Sequence, residues 1–198
     1  MARKTGRRPG NPDTRAAILL AAREAFGESG FDGASIRAIA TSAGVDPALV
    51  HHYFGTKEQL FMEAVQVPID PRDFVPEILS GDHGDIGVRL VRVFLRVWDS
   101  PASAAAAALM RSAMNNDWTL RLLREFLVTQ ILRRLVNHLG HEPTEGALRA
   151  SLVASQMAGL AMVRYIVRVE PLASAPPDVV VAAIAPTVQR YLTGDIAG

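Results

Sequence analysis

The segment from Ser35 to Lys57 leaves the chain little choice of local structure. Ile36, Ile39, Ala40 and Ala43 recur at helical spacing and form one short apolar stripe. Gly44 follows at once and supplies the positive φ that ends a helix. Asp46 is placed to cap a second helix, and Pro47 suits its first turn. Within that helix Leu49 and Val50 are apolar, so at least one faces a core, and Pro47, Ala48, His51 and His52 are left outside. Two helices joined by a turn of three or four residues form a helix-turn-helix, whose second helix fits the major groove of DNA.

The flanks of this motif make it specific. Ala21-Ala22, Ala25-Phe26, Gly30-Phe31, Ser35-Ile36, Ile39-Ala40, Ala43-Gly44-Val45, His52-Tyr53-Phe54, Lys57 and Leu60 occur together between Thr14 and Leu60. In this joint pattern the segment resembles the DNA-binding domain of the TetR family of transcriptional repressors. The rest of the chain is similar to that family in length, helical periodicity and layout. Val153-Ala154-Ser155-Gln156, Arg164-Tyr165 and Glu170-Pro171-Leu172-Ala173 resemble one recurrent type of its regulatory domain.

Composition narrows the remaining classes. The chain has 198 residues, is 49% hydrophobic and contains no cysteine, so it can build a core but no disulfide or thiolate metal site. No apolar run follows the basic N-terminus, so a secretory signal is not expected, and a cytoplasmic location is. The apolar stretch 147–169 is interrupted by Arg149, Gln156, Arg164 and Arg168, and is expected to be a buried or interface helix rather than a membrane span. Net charge is only +1, but residues 1–12 carry Arg3, Lys4, Arg7 and Arg8 with no acid. Nucleic-acid binding therefore depends on a local arm and an oriented motif, not on bulk charge.

The expected fold is all-α, with about nine helices and no internal repeat. The first helix starts with Asn11 as cap and Pro12 at its first position, and ends near Ser29-Gly30. A fourth begins at Thr56, where Thr56 and Gln59 have capping-box spacing. Residues 68–84 read as a proline- and glycine-rich linker with one short helix near Phe74 to Leu79. Further helices are expected at Ile86–Trp98, up to Met114, at Asp117–Leu139, at Thr144–Val169 and at Asp178–Leu192, the last kinked or split by Pro186. Two units result: a three-helix helix-turn-helix unit with a basic arm at 1–67, and a helical ligand-binding and dimerisation unit at 68–198. The first is too small to be very stable alone, so its fourth helix should pack on the second.

Candidate DNA contacts begin with Arg7 and Arg8, in an arm able to enter a minor groove. The family resemblance implies that Pro47, Ala48 and His51 approach bases, that Arg37 reaches a base edge, and that Tyr53 and Lys57 contact phosphates. His52 and Thr56 complete the set. In the second unit Phe94, Trp98, Met110, Met114, Trp118, Leu122, Phe126, Met157 and Leu160 could line a cavity, with Asn115 and Gln156 as polar members and Arg111 behind them. That chemistry suits a hydrophobic or amphipathic effector. Leu152, Gly159, Val163, Ile166, Val180, Ile184, Val188 and Tyr191 are candidates for a twofold interface, which the resemblance implies to be a four-helix bundle shared by two chains.

No metal or cofactor is expected. His51 and His52 point about 100° apart on a helix, and Gly140 breaks the chain between His138 and His141. The leading expectation is a dimeric repressor released from its operator by a small molecule. One alternative is a helix-turn-helix regulator without such an effector. Another is an enzyme using the helical cavity, but no nucleophile–base pair or phosphate loop supports it.

Overall fold

The computed structural model describes residues 12–196. The described residues form helices and turns with no strand. Helix α1 (Pro12–Gly33) is interrupted at Gly30, whose φ of 69° and ψ of 178° stop the regular helix near where the sequence places its end. Helices α2 (Ile36–Ser42) and α3 (Pro47–Phe54) follow. Ser35 Oγ accepts from Ala38 N, Gly44 has φ 68°, and Asp46 caps α3 by accepting from Ala48 N at 2.8 Å. The capping box of Thr56 and Gln59 starts α4 (Lys57–Val65), which ends on left-handed Gln66 rather than at Pro68. The sequence-stated cap Asn11 lies outside the described residues.

The linker carries α5 (Val75–Leu79) between two short 3-10 turns. Then come α6 (Ile86–Trp98), α7 (Ser103–Asn115) and α8 (Asp117–Phe126). The last continues through a π-helical segment, Leu127–Leu132, into α9 (Arg133–Leu139). Gly140, with φ 69°, ends that run. Helix α10 (Pro143–Ala161) also passes into a π segment, Met162–Ile166, and α11 (Pro177–Thr193) closes the fold. The α10 run of 24 residues is long and apolar enough to cross a membrane by length and composition alone. Arg149 within it is buried and bonded to Glu145 and to the carbonyls of Tyr191 and Gly194, which ties this helix to α11.

Pro186 does not split α11. It lies on the exposed face, and so does Ala182, whose carbonyl would have received the missing N–H bond; water can serve that carbonyl instead. The opposite face, Val181, Ala185, Val188 and Leu192, is buried with Leu90 and Val91 of α6 in one core. Gly87 permits the contact: a Cβ there would lie 2.8 Å from both Ala185 O and Gln189 N.

A second core holds the helix-turn-helix unit together. Ile18, Ala22, Phe26, Ile39, Val50, Phe54, Leu60 and Phe61 are buried in it, and the Phe26 and Phe61 rings meet edge-on at 4.9 Å. Leu122 and Phe126 of α8 complete this core. The second half of the chain therefore reaches the first unit mainly through α8, which packs on α1 as well as on α4.

Candidate nucleic-acid interface and effector cavity

Helix α3 presents two faces. Val50 and Phe54, one turn apart, are buried. Ala48, His51 and His52 are exposed on the other side, with Pro47 half-buried beside them, so the candidate base-reading residues share one open surface. Arg37 on α2 is exposed as well, and no ion pair engages it among the described residues. His51 Nδ1 lies 2.8 Å from Gly55 O. A carbonyl only accepts, so Nδ1 carries the proton and the neutral ring keeps Nε2 as an acceptor.

The flanking polar groups are differently committed. Tyr53 is half-buried beside His52, ring centroids 5.6 Å apart, and its hydroxyl has no hydrogen-bond partner among the described residues. Lys57 Nζ sits 4.7 Å from the Phe31 ring centroid and 3.5 Å from Asp32 O. Thr56 is occupied by the cap: its N–H donates to Gln59 Oε1 at 2.9 Å and its Oγ1 accepts from Gln59 N at 3.2 Å. The Glu58 carboxylate is held below its ordinary range first by a backbone N–H and then by the Thr56 hydroxyl. Arg7 and Arg8 lie outside the described residues.

Behind this unit, α5, α6, α7, the α8–α9 run and α10 enclose a cavity of about 210 Å³. Of the candidate pocket residues, Phe94, Trp98, Met110, Phe126 and Met157 line it. The other candidates do not. Met114 is 64% exposed, and Asn115 turns back to donate to Arg111 O. Trp118 packs against Gly27 of α1, and Leu122 belongs to the helix-turn-helix core. Leu160 is buried in the α6–α11 core, and Gln156 is half-buried away from the cavity. The physical reason is that α8 has two apolar faces one residue out of phase. Trp118 and Leu122 turn toward α1 and α4, Leu127 faces the cavity, and Leu123, Phe126 and Ile131 touch both. No charged or amide side chain lines the space.

Sequence reasoning missed the linker. Val67, Pro68 and Ile69, directly after α4, form part of the cavity wall. Their apolar character was the available signal, masked by the prolines. It also missed Glu125, whose Oε1 accepts from Phe31 N at 2.8 Å just after the break in α1.

The interface candidates divide similarly. Val180 and Val188 are buried in the chain's own core and cannot serve a partner, because their face of α11 meets α6. Gly159 is exposed with open space where a Cβ would stand, and Leu152, Val163, Ile166, Ile184 and Tyr191 are half-buried. Exposed apolar residues near them are Leu148, Val167 and Val179. Among the described residues no group of three or more His, Asp or Glu side chains is arranged to hold a metal. His138 pairs with His83, Nε2 to Nε2 at 3.3 Å, and His141 instead meets Leu192 O.

Comparison with known proteins agrees with this architecture. Residues 84–192 match the family described as the tetracyclin repressor-like, C-terminal domain, and residues 18–64 match that of bacterial regulatory proteins, tetR family. The transcriptional regulator BetI of Agrobacterium fabrum is 32% identical over 175 residues, covering 83% of this chain and 84% of that protein. The BetI regulator of Rhizobium meliloti is 44% identical over 55 residues, so this match spans only 28% of the chain and 27% of the relative. A TetR-family regulator of known structure from Streptomyces coelicolor A3 is 40% identical, with 96% of this chain and 99% of that one covered and a TM-score of 0.47. Both domain matches and the near full-length similarity to BetI lead to one assignment: the chain belongs to the TetR family of helix-turn-helix transcriptional regulators.

Proposed function

We propose that the protein is a dimeric repressor that leaves its operator when a small apolar molecule occupies the cavity between α6, α7, α8 and α10. In each protomer Arg37, Pro47, Ala48 and His51 read base edges, Tyr53 and Lys57 hold phosphates, and Arg7 and Arg8 supply the arm. The free Nε2 of His51 suits the amino groups of adenine or cytosine, and Arg37 suits guanine. Two chains joined through α10 and α11 set the recognition helices on half-sites roughly 34 Å apart. Units 1–67 and 68–198 act as reader and sensor.

The observation that carries this reading is the shared position of Phe126. It is buried in the helix-turn-helix core and also lines the cavity. The linker residues Val67 to Ile69 touch the same space, directly after α4. A molecule that enlarges the cavity therefore presses on both structures that set the orientation of α4 and α1. At about 210 Å³ the cavity is below the roughly 300–1,000 Å³ typical of drug-sized ligands. It takes a compact hydrophobic molecule or one apolar arm of a larger one. The wall lacks the polar groups that would orient a sugar or peptide.

The test has two stages. Sequences retained from a random duplex library define the operator, and anisotropy measures its affinity. A dye that fluoresces in apolar surroundings, N-phenylnaphthylamine, then titrates the cavity. Saturable dye binding that weakens operator affinity, with DNA weakening dye binding by the same factor, supports the reading. Dye binding without any effect on DNA would favour a regulator that has no small-molecule effector.

A further inference from the structure

A hollow of about 520 Å³ lies between the start of α7 and the end of the α10 run. It shares no lining residue with the apolar cavity, from which the packed cluster of Trp98, Ala107 and Ala161 separates it. Arg111, Arg164 and Arg168 line it, together with Ser103 and a single acid, Glu170. None of the three guanidinium groups is in an ion pair among the described residues. The Glu170 carboxylate is taken up by Ser174, whose N–H and hydroxyl both donate to it.

Arg164 is the distinctive member. It is 7% exposed, its Nη1 donates to Leu172 O, and its buried Nε has no partner. A guanidinium held out of water with no countercharge is costly, and an incoming anion would relieve that cost. Tyr165 beside it does not supply the anion. Burial pushes its phenol up to about 12, so the ring stays a neutral donor to Asp99 at 2.9 Å. Asp99 is thereby engaged as well.

Two backbone features converge on the same place. Arg168 has φ 59°, a left-handed conformation that is unfavourable for a residue with a side chain and collects at functional sites. Helix α7 is 13 residues long, has no side-chain cap at its N-terminus, and puts its first residues, Ser103 and Ala104, in the wall of the hollow. The Ser103 N–H is taken by Ser100 O, so it is the positive dipole end of the helix that favours a negative group there.

We propose that this hollow is a second ligand site, for a small molecule carrying a carboxylate or phosphate group. The anion lies between the Arg164 and Arg168 guanidiniums and the start of α7, with Arg111 closing the outer side. The volume exceeds what a lone inorganic ion fills, so the charged group is the head of a larger molecule. This goes beyond the proposed apolar effector, and it stands or fails separately because the two spaces share no lining residue.

The test is calorimetric titration of the full chain, at fixed ionic strength in chloride buffer, with inorganic phosphate and with succinate as separate probes. Saturable binding of at least one probe, one per chain, is expected, and the better probe identifies the head group. Arg168→Gln and Arg111→Gln change exposed side chains and leave the core intact. Each should weaken binding by roughly tenfold or more, as for loss of a hydrogen bond to a charged group. Arg121→Gln, an exposed arginine away from the hollow, should leave it unchanged. Absence of saturable binding by both probes would overturn the proposal. So would affinities that Arg168→Gln and Arg111→Gln leave as they were, which would place the anion elsewhere, for instance on the DNA-binding face.

Discussion

Replacing Glu125 with alanine should cost about 2 kcal/mol and detach the end of α1 from α8. The figure follows from what the carboxylate does. Gly30 turns the chain out of the helix, so the next N–H, on Phe31, loses its helical acceptor. Glu125 Oε1 accepts it at 2.8 Å in a partly buried setting. Hydrogen bonds to charged groups contribute about 1.5–3 kcal/mol, and truncation leaves the donor unsatisfied. A neighbouring bridge joins the end of α1 to α9: Arg133 Nη1 lies 2.8 Å from Asp32 Oδ2. Its side chains are 49% and 65% exposed, and such pairs are worth about 0.2–1 kcal/mol. The partly buried single bond therefore outweighs the exposed ion pair.

Urea unfolding at one fixed protein concentration checks this ranking, since dimerisation makes stability depend on concentration. Glu125→Ala should lower the midpoint with an unchanged slope, Arg133→Ala should lower it by less than half as much, and Glu125→Gln, which keeps an acceptor, should fall between wild type and Glu125→Ala. Hydrogen exchange of the Phe31 amide should accelerate in Glu125→Ala alone. If the clasp also carries the cavity's state to the DNA-binding unit, the same variant should lose most of the effector's 5- to 150-fold influence, the range of about 1–3 kcal/mol of coupling. A Glu125→Ala protein as stable as Arg121→Ala, or less affected than Arg133→Ala, would refute the reasoning.

Three further outcomes are expected. Lys57→Ala removes one phosphate contact per protomer, so the slope of log affinity against log salt should fall by about 1.8 for a dimer; Tyr53→Phe should weaken all operator variants alike, while Arg37→Ala should flatten preference at one base position per half-site, and equal effects of all three on every sequence would contradict that division. Sedimentation should show a dimer at micromolar concentration, converted to monomer or aggregate by Gly159→Glu or Val163→Glu; a native monomer with full operator affinity would rule out pairing through α10. Met110→Trp should fill the cavity and suppress both dye binding and effector release, whereas Met114→Trp, on an exposed residue, should change neither; the reverse pattern would displace the pocket.

What was legible in the sequence was local. The caps at Asp46 and Thr56, the glycine turns at Gly44 and Gly140 and the bounds of α6 all follow from neighbouring residues, because capping and periodicity act within a turn or two. What was not legible was which face of a helix meets which partner. On α11 the candidates Val180 and Val188 have helical spacing suited to an interface, yet they meet α6 because Gly87 lets that helix approach closely. One glycine in a distant segment settles the matter, and nothing near α11 announces it.

The same ambiguity on α8 has a functional consequence. A helix with one apolar face belongs to one core, and its neighbours can move without it. Helix α8 has two such faces, one packed under α1 and α4 and the other walling the cavity, with Leu123 and Phe126 common to both. Close packing makes a displacement on one side felt on the other, since cores do not deform continuously. The π segment that follows, Leu127–Leu132, carries Leu127, Ile131 and Leu132 into the cavity wall. Its wider turn is the kind of irregularity found at functional sites, and it is where a rotation of α8 costs least regular hydrogen bonding. On the proposed function, an occupant of the cavity would act on α8 at its most adjustable point, and the DNA-binding unit would feel the result through Leu122, Phe126 and the Glu125 clasp.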